Sequence, residues 1–386
     1  MSQEQIGKIL ETYRERFSEN PSSIVTAPGR INLIGEHTDY SEGFVLPVAI
    51  DRNVTLAFTP RDDKVIQVYS IDFEQELVVN LDNMQRGDGG WKEYVMGTAW
   101  ALMDAGYALN GWQAVVAGNI PIGAGLSSSA ALEVAIGKTF CLASNIDLPP
   151  ASLALLSRKA EAEWVGVNVG IMDQLISAAG KEGHALLLDC KTLDYEYVPI
   201  PKEITLVVLD TMTRRELTKS DYNARHEEVK QASKLLGVQF LREATPQLVE
   251  ETRTHMASTI YRRARHVVTE NQRVHAFSTA MRNNDLLTMG QLINASHVSL
   301  RDDYEVSSSE LNLIVELAQK QPACLGARMM GAGFGGCALA LLATDQVEPF
   351  TENVFSLYRS QTGIEPNIFI VTSADGVGEC SVPLDL

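Results

Sequence analysis

Ala27-Pro-Gly-Arg-Ile-Asn-Leu-Ile-Gly-Glu-His-Thr-Asp-Tyr-Ser-Glu-Gly-Phe-Val-Leu-Pro47 places Arg30, Glu36, His37 and Asp39 between apolar runs that read as core. Charge held against apolar surroundings must be paired, hydrogen-bonded or used on a ligand. A solvated loop turning at Gly35 is the plainer reading. Recognition of a sugar or a phosphate accounts better for ionisable groups set so deep in an apolar context.

A second stretch, Pro121-Ile-Gly-Ala-Gly-Leu-Ser-Ser-Ser-Ala130, is a glycine-rich turn that runs into a helix predicted from Ser128, whose apolar set is Leu132, Ala135, Ile136 and Phe140. Glycines let backbone come close to a ligand, and the first N–H groups of a helix favour negative charge. Ser127 or Ser128 could simply cap that helix, but Gly123, Gly125 and three consecutive serines exceed what one cap requires. A phosphate-binding loop over Gly123, Ala124, Gly125, Leu126, Ser127, Ser128 and Ser129 is expected. No lysine follows the glycines, which excludes a Walker A loop.

Gly331-Ala-Gly-Phe-Gly-Gly336 formally fits G-x-G-x-x-G, yet Cys337-Ala-Leu-Ala-Leu-Leu342 behind it reads as a buried strand. The dinucleotide fingerprint needs a helix there, so a tight loop between two strands is expected instead. Near Trp164, Glu161 and Glu163 both flank an apolar helical face that starts at Pro150, and either could meet Mg²⁺. Asp173, enclosed by Ile171, Met172 and Leu175, is the stronger candidate for a working carboxylate. It needs a cation or donors beside it, and Arg30 could serve.

The 386 residues, 45% hydrophobic and 21% charged, suit a globular chain of two lobes. Pro199-Ile-Pro201 suggests a boundary, giving 1–199 and 200–386. A net charge of −17 argues against nucleic acid or an anionic membrane as the main partner. The five cysteines are scattered without a C-x-x-C pair, so neither a disulfide framework nor a zinc site is indicated. Met-Ser-Gln-Glu-Gln carries no signal pattern and no run reaches the eighteen or so apolar residues of a span, so a cytoplasmic location is expected. Strand candidates at 54–58, 65–71, 113–117, 185–189, 195–198, 204–210, 337–342 and 367–371 mix with helices at 219–236, 259–283, 285–298 and 307–320. The absence of regular βαβ alternation predicts an α+β fold.

Taken together these motifs are recognisable. Gly29 to Tyr40 resembles the galactokinase signature, Pro121 to Ala130 resembles the second motif of the GHMP small-molecule kinases, and Gly331 to Gly336 resembles their third; Gly170 to Gln174 and Ser220 to Asn223 fit in order. The resemblance implies two α+β lobes with the active site in the cleft between them, and transfer of the γ-phosphoryl group of MgATP to the anomeric hydroxyl of α-D-galactose. Carried over, Asp173 and Arg30 match the catalytic pair, while Glu36, His37, Thr38, Asp39, Gly170 and Tyr222 match sugar-binding positions. Gly123 to Ser129 match the phosphate loop, and Ser129 with Glu161 match the Mg²⁺ positions, which leaves Glu163 aside. Met330 stands where the family usually has threonine, which implies altered substrate affinity. A kinase for N-acetylgalactosamine, arabinose or galacturonate, or a galactose and ATP sensor without turnover, are the rival readings. Galactose and ATP are the expected partners, and a monomer or weak oligomer the expected state.

Overall fold

The computed structural model describes residues 3–382 except 88, 122, 168, 215–218 and 344–345, and gives backbone alone for 219–223. A six-stranded sheet forms from both ends of the chain, in the order Gly378–Cys380, Ser23–Asn32, Pro47–Pro60, Trp112–Gly118, Val65–Ser70 and Gln75–Asn80. Ser23–Asn32 is buried along nearly its whole length. Covered on both faces, it lacks the apolar and polar alternation of a half-exposed strand. Ile9, Leu10 and Tyr13 of the helix Gln3–Phe17 pack with Ile24, Ala57 and Val115 of the sheet, and the helix Ser128–Ala143 lies against Ser23–Asn32 and Pro47–Pro60.

The second sheet is fully antiparallel, in the order Cys324–Met329, Cys337–Ala343, Ile204–Asp210 and Asn367–Val371. Its register sets Cys337 opposite Asp210 and Ala343 opposite Ile204. The expected tight loop, 331–336, links its first two strands. A small third sheet joins Phe44–Val45, His184–Asp189 and Tyr195–Pro199. Among the described strands only Val65–Ser70 with Trp112–Gly118 run parallel, so the fold is α+β as the sequence predicts.

The two larger sheets share packing. Leu206, Val208, Leu339 and Leu341 of the second belong to the same buried cluster as Val25, Val48 and Leu56 of the first. The last described strand, Gly378–Cys380, pairs with Ser23–Asn32, so the end of the chain rests on the first sheet. Helices Lys219–Leu236, Ser258–Arg282, Leu286–Ser299 and Ser309–Gln319 fall close to the predicted spans, and Val347–Thr362 is a further helix. The helix from Pro150 gives way at Ala160 to a π turn, Ala160–Val165. Among the described residues no helix is long and apolar enough to cross a membrane.

Candidate active site

The first strand bulges between Pro28 and Arg30. A bulge re-aims the side chain that follows it, and a Cβ on Gly29 would lie 2.6 Å from the Leu126 carbonyl oxygen. Glycine there lets the strand and the glycine-rich turn meet, with the Arg30 N–H donating to Leu126 at 3.1 Å. Arg30, 6% exposed, then donates through Nε and Nη2 to the two carboxylate oxygens of Asp173, both at 2.8 Å, and through Nη1 to the Gly125 carbonyl at 2.5 Å. A fork-to-fork pair of this kind is both strong and directional.

Gly123 and Gly125 take φ of 72° and 75°, and Ser127 follows at 61°. Ser127 occupies the cap position of the helix Ser128–Ala143 without a side-chain cap bond; its hydroxyl donates to Asp173 instead. Ala124 and Leu126 are buried and anchor the turn from below. Ser128 and Ser129 line a pocket of about 300 Å³ whose other walls include Val54, Phe73, Trp91 and Tyr94. Its walls are mostly apolar, which suits a flat aromatic ring beside phosphates.

On the other side of Asp173, a polar pocket of about 550 Å³ is lined by Asp39, Gly170 and Ile171 from the first half of the chain and by His226, Glu227 and Lys230 from the second. A Cβ at residue 170 would sit 1.8 Å from an Asp39 carboxylate oxygen, so only glycine leaves that carboxylate in place. Burial, then the negative charges of Asp173 and Glu36, pushes the Asp39 carboxyl up to about 7. Glu36 is 3% exposed; its Oε1 accepts from the Gly331 N–H at 2.9 Å and from Arg328 at 3.2 Å.

His37 and Thr38, sugar-binding positions by the resemblance, both make contacts within the protein. The His37 ring meets the Ala332 carbonyl through Nε2 at 3.1 Å and the Tyr40 hydroxyl through Nδ1 at 2.9 Å. A carbonyl can only accept, so Nε2 carries the hydrogen and Nδ1 accepts from Tyr40. Burial, reinforced by His266, pushes this imidazole down to about 3, which keeps it neutral. Its ring ties the acidic loop to the third glycine loop. Thr38 is fully buried, and its hydroxyl bonds to the carbonyls of Gly35 and Phe44 at 2.9 and 2.8 Å, closing its own loop. The Tyr222 side chain lies outside the described residues.

Glu161 is 5% exposed, whereas Glu163 is exposed on the outer surface. Glu161 bonds with the Ser129 hydroxyl and accepts from the Gln174 amide at 2.7 Å. Gln174 also donates to Glu133 at 3.1 Å, and Glu133 keeps a buried oxygen without a partner. Burial and the Asp173 charge push Glu161 up to about 7. Among the described residues no three His, Cys, Asp or Glu side chains gather as metal ligands.

Sequence reading missed Arg328, which is fully buried and donates to the carbonyls of Leu33 and Asn32 as well as to Glu36. It also missed Glu270, which receives the Gly35 N–H at 3.0 Å and pairs with Arg273. Burial opposes ionisation of Glu270, but Arg273, His266 and Arg328 outweigh it and hold the carboxyl at about 2. Arg328 is a single charge inside an apolar run, the same signal that marks the first motif, whereas Glu270 lies among Thr269, Asn271, Gln272 and Arg273 and carries no such signal. Met330 is 2% exposed and its sulfur receives the Asn32 N–H at 3.4 Å.

Residues 11–60 match the galactokinase galactose-binding signature, 93–181 the GHMP kinases N-terminal domain and 277–358 the GHMP kinases C-terminal domain. Galactokinases of Roseiflexus sp. (strain RS-1) and Chloroflexus aurantiacus are 41% and 42% identical to this chain, over 96% and 97% of both partners respectively. The chain belongs to the galactokinase family of the GHMP kinases. The crystal structure of Lactococcus lactis galactokinase complexed with galactose superposes with a TM-score of 0.94 at 38% identity, covering 97% of this chain and 99% of that one. Methanococcus jannaschii mevalonate kinase, at 18% identity and a TM-score of 0.65, shares the fold alone.

Proposed function

We propose that this chain transfers the γ-phosphoryl group of ATP to the C1 hydroxyl of α-D-galactose, giving α-D-galactose 1-phosphate and ADP as the first committed step of galactose breakdown by the Leloir route. The observation that carries the reading is Asp173, held by Arg30 and Ser127 where the glycine turn meets the acidic pocket. That position lies between a phosphate-binding backbone and hydroxyl acceptors.

Glu36 and Asp39 accept hydrogen bonds from sugar hydroxyls; with Glu36 Oε1 engaged by Gly331, Oε2 is the atom assigned to the sugar. Gly170 clears the space that the Asp39 carboxylate needs, and Tyr222 completes the acceptor side as the resemblance implies. Adenine occupies the apolar pocket beside Trp91 and Tyr94, and the phosphates run over the N–H groups from Gly123 to Ser129.

Phosphoryl transfer through a loose transition state asks for alignment and charge neutralisation more than for a strong base. Asp173 accepts from Arg30 and Ser127, which fixes the place and plane of its carboxylate. It therefore orients the C1 hydroxyl in line with phosphorus and takes the proton late, as the new O–P bond forms and the bond to the ADP oxygen breaks. Arg30 holds that carboxylate in place and adds positive potential at the Gly125 end of the turn.

Ser129 and Glu161 would hold a divalent cation, Mg²⁺ by its preference for hard oxygen donors. They fit: Glu161 is a buried carboxyl held up by its surroundings and bonded to Ser129, an environment that a nearby cation relieves. When bound, the ion neutralises charge across the β- and γ-phosphates. We assign the enzyme to the cytoplasm, acting on small molecules as a monomer or weak oligomer.

ADP release measured with galactose, N-acetylgalactosamine, arabinose and galacturonate tests the assignment. Galactose should give the highest kcat/KM. Dominance of another sugar would reassign the acceptor, and binding of galactose and ATP without ADP release would make the protein a sensor.

A further inference from the structure

Glu161 comes from the π turn Ala160–Val165, a local widening of the helix that often marks a functional position. The backbone of that turn is closed by the Gly166 and Val167 N–H groups, which donate to the Glu161 carbonyl at 2.9 and 3.0 Å. Its carboxyl is held from elsewhere. A ligand whose plane is set in advance loses less binding energy to ordering when a hard cation arrives.

Two neighbouring helices supply the hold. Ser129, in the first turn of the helix Ser128–Ala143, bonds to the Glu161 carboxyl, and Gln174, in the helix Met172–Ala179, donates to its Oε2 at 2.7 Å. The Gln174 amide nitrogen carries two hydrogens, and the second goes to Glu133 Oε2 at 3.1 Å. Glu133 lies one turn beyond Ser129 on the same helix. Gln174 and Glu133 are both fully buried. Turning the amide over would set its oxygen against Glu161 Oε2, so the bond to Glu133 keeps the donating end of Gln174 toward the ligand.

The arrangement is not the most stable one available. Among the described residues Gln174 Oε1 and Glu133 Oε1 are buried without a hydrogen-bond partner, and unmet buried acceptors destabilise a fold that apolar side chains of the same shape would not. A role other than packing accounts for them. Asp173 directly precedes Gln174, so one short helix reaches the Arg30 pair with one residue and Glu161 with the next.

We infer that Gln174, oriented by Glu133, is the positioning residue of the cation ligand, holding Oε2 of Glu161 and leaving Oε1 for the ion. The inference rests on the reading of Ser129 and Glu161 as the cation-binding pair of an ATP-dependent kinase. Gln174 and Glu133 act through Glu161 and take no part in the transfer.

Mn²⁺ shares the preference of Mg²⁺ for oxygen donors. Titrated into the complex of the full chain with ADP and followed by electron paramagnetic resonance, it reads metal affinity without turnover. Losing the partner of a metal-binding carboxylate should weaken Mn²⁺ about tenfold or more in Gln174→Leu, whereas metal-free ADP, measured by calorimetry, should move by less than about twofold. Glu133→Leu should give a smaller loss of the same kind. Glu133→Gln keeps an oxygen for the Gln174 amide and should stay within about twofold of wild type. Gln174→Leu takes the donor from Glu133, so a lower melting temperature is expected for it; adding Glu133→Leu removes the stranded carboxyl and should recover that temperature. Because Glu133 acts only through Gln174, the double variant should bind Mn²⁺ no more weakly than Gln174→Leu. Unchanged Mn²⁺ affinity in Gln174→Leu, equal weakening of metal-free ADP, or a further Mn²⁺ loss in the double variant would each overturn the inference. Failure of the underlying reading is told apart in wild-type protein, which would then hold Mn²⁺ no better than ADP alone does.

Discussion

The acceptor side of the site, from Glu36 to Gly170, is built from buried side-chain charge, whereas the nucleotide side, from Gly123 to Ser129 and Gly331 to Gly336, is built from backbone that glycine holds open. On the first side Glu36, Asp39 and Asp173 are close enough for their charges to raise the Asp39 carboxyl. On the second, six glycines, at 123, 125, 331, 333, 335 and 336, take positive φ, and the polar groups offered are main-chain N–H. Side-chain charge gives selectivity for a particular pattern of hydroxyls and makes that side sensitive to pH and to single substitutions. Backbone donors serve any polyphosphate and tolerate side-chain change, provided the glycines remain.

The hardest test of this contrast is Asp173→Asn, which preserves shape but removes the charge that Arg30 and Ser127 are arranged around. We expect kcat to fall by about 10²-fold or more, with ADP affinity nearly unchanged. Turnover close to wild type would take Asp173 out of the reaction and leave the acceptor side without its centre. Next in size is Gly170→Ala. Its methyl would overlap the Asp39 carboxylate, so KM for galactose should rise about tenfold or more, of the order expected when a buried charge-assisted contact is lost. Equal weakening of ADP would mean that the two sides do not act separately.

The unequal legibility of the two sides in the sequence has the same origin. Charges inside apolar runs are visible as residues, so Arg30, Glu36, Asp39 and Asp173 could be picked out, and the same reasoning applies to Arg328 and Glu133, which were passed over. Glu270 sits among Thr269, Asn271, Gln272 and Arg273, and only the fold shows that it is buried. Whether a hydroxyl closes its own loop depends on loop geometry that spacing does not encode, as the two carbonyl contacts of Thr38 show. The strand Ser23–Asn32 was hidden by Pro28 and Gly29, which ordinarily break strands and here make the bulge that aims Arg30. The helix Val347–Thr362 buries Phe350, Val354 and Tyr358 at a spacing of four, a readable signal that was passed over. The α+β class survived such omissions because it rests on the order of many elements rather than on any one.

A pH profile sharpens the comparison with a smaller effect. In the unliganded protein Asp39 is raised to about 7 by burial and by the charges of Asp173 and Glu36. It therefore becomes protonated as pH falls through that value, losing the ionised acceptor that the sugar hydroxyl needs. kcat/KM for galactose should decline about tenfold per pH unit below 7 and level off above it. His37, pushed down to about 3, remains neutral throughout and contributes no step. The linkage to folding has the opposite sign: a carboxyl whose folded pKa exceeds its unfolded value withdraws stability as pH rises from about 4 to 7, and bound galactose should restore it. A flat kcat/KM between pH 6 and 8 would mean that Asp39 binds the sugar as a donor or not at all.

The smallest effect is expected at Met330, on the boundary between the two sides. Its place in the third glycine motif suggests a role in substrate affinity, but the thioether is 2% exposed, packs in the main core and receives the Asn32 N–H. Met330→Thr removes buried volume and brings in a hydroxyl, a change of about 2 kcal/mol at such a site, or roughly 2–3 °C in Tm for a chain of this length. KM for galactose and for ATP should both move by less than about threefold. A larger change in KM for ATP with Tm unchanged would mean that residue 330 acts through the hollow between the two glycine loops, whose wall it shares, rather than through the core. The third glycine loop would then add side-chain chemistry to that of Ser129 and Glu161, and the contrast drawn from its glycines would have to be confined to the turn from Gly123 to Ser129.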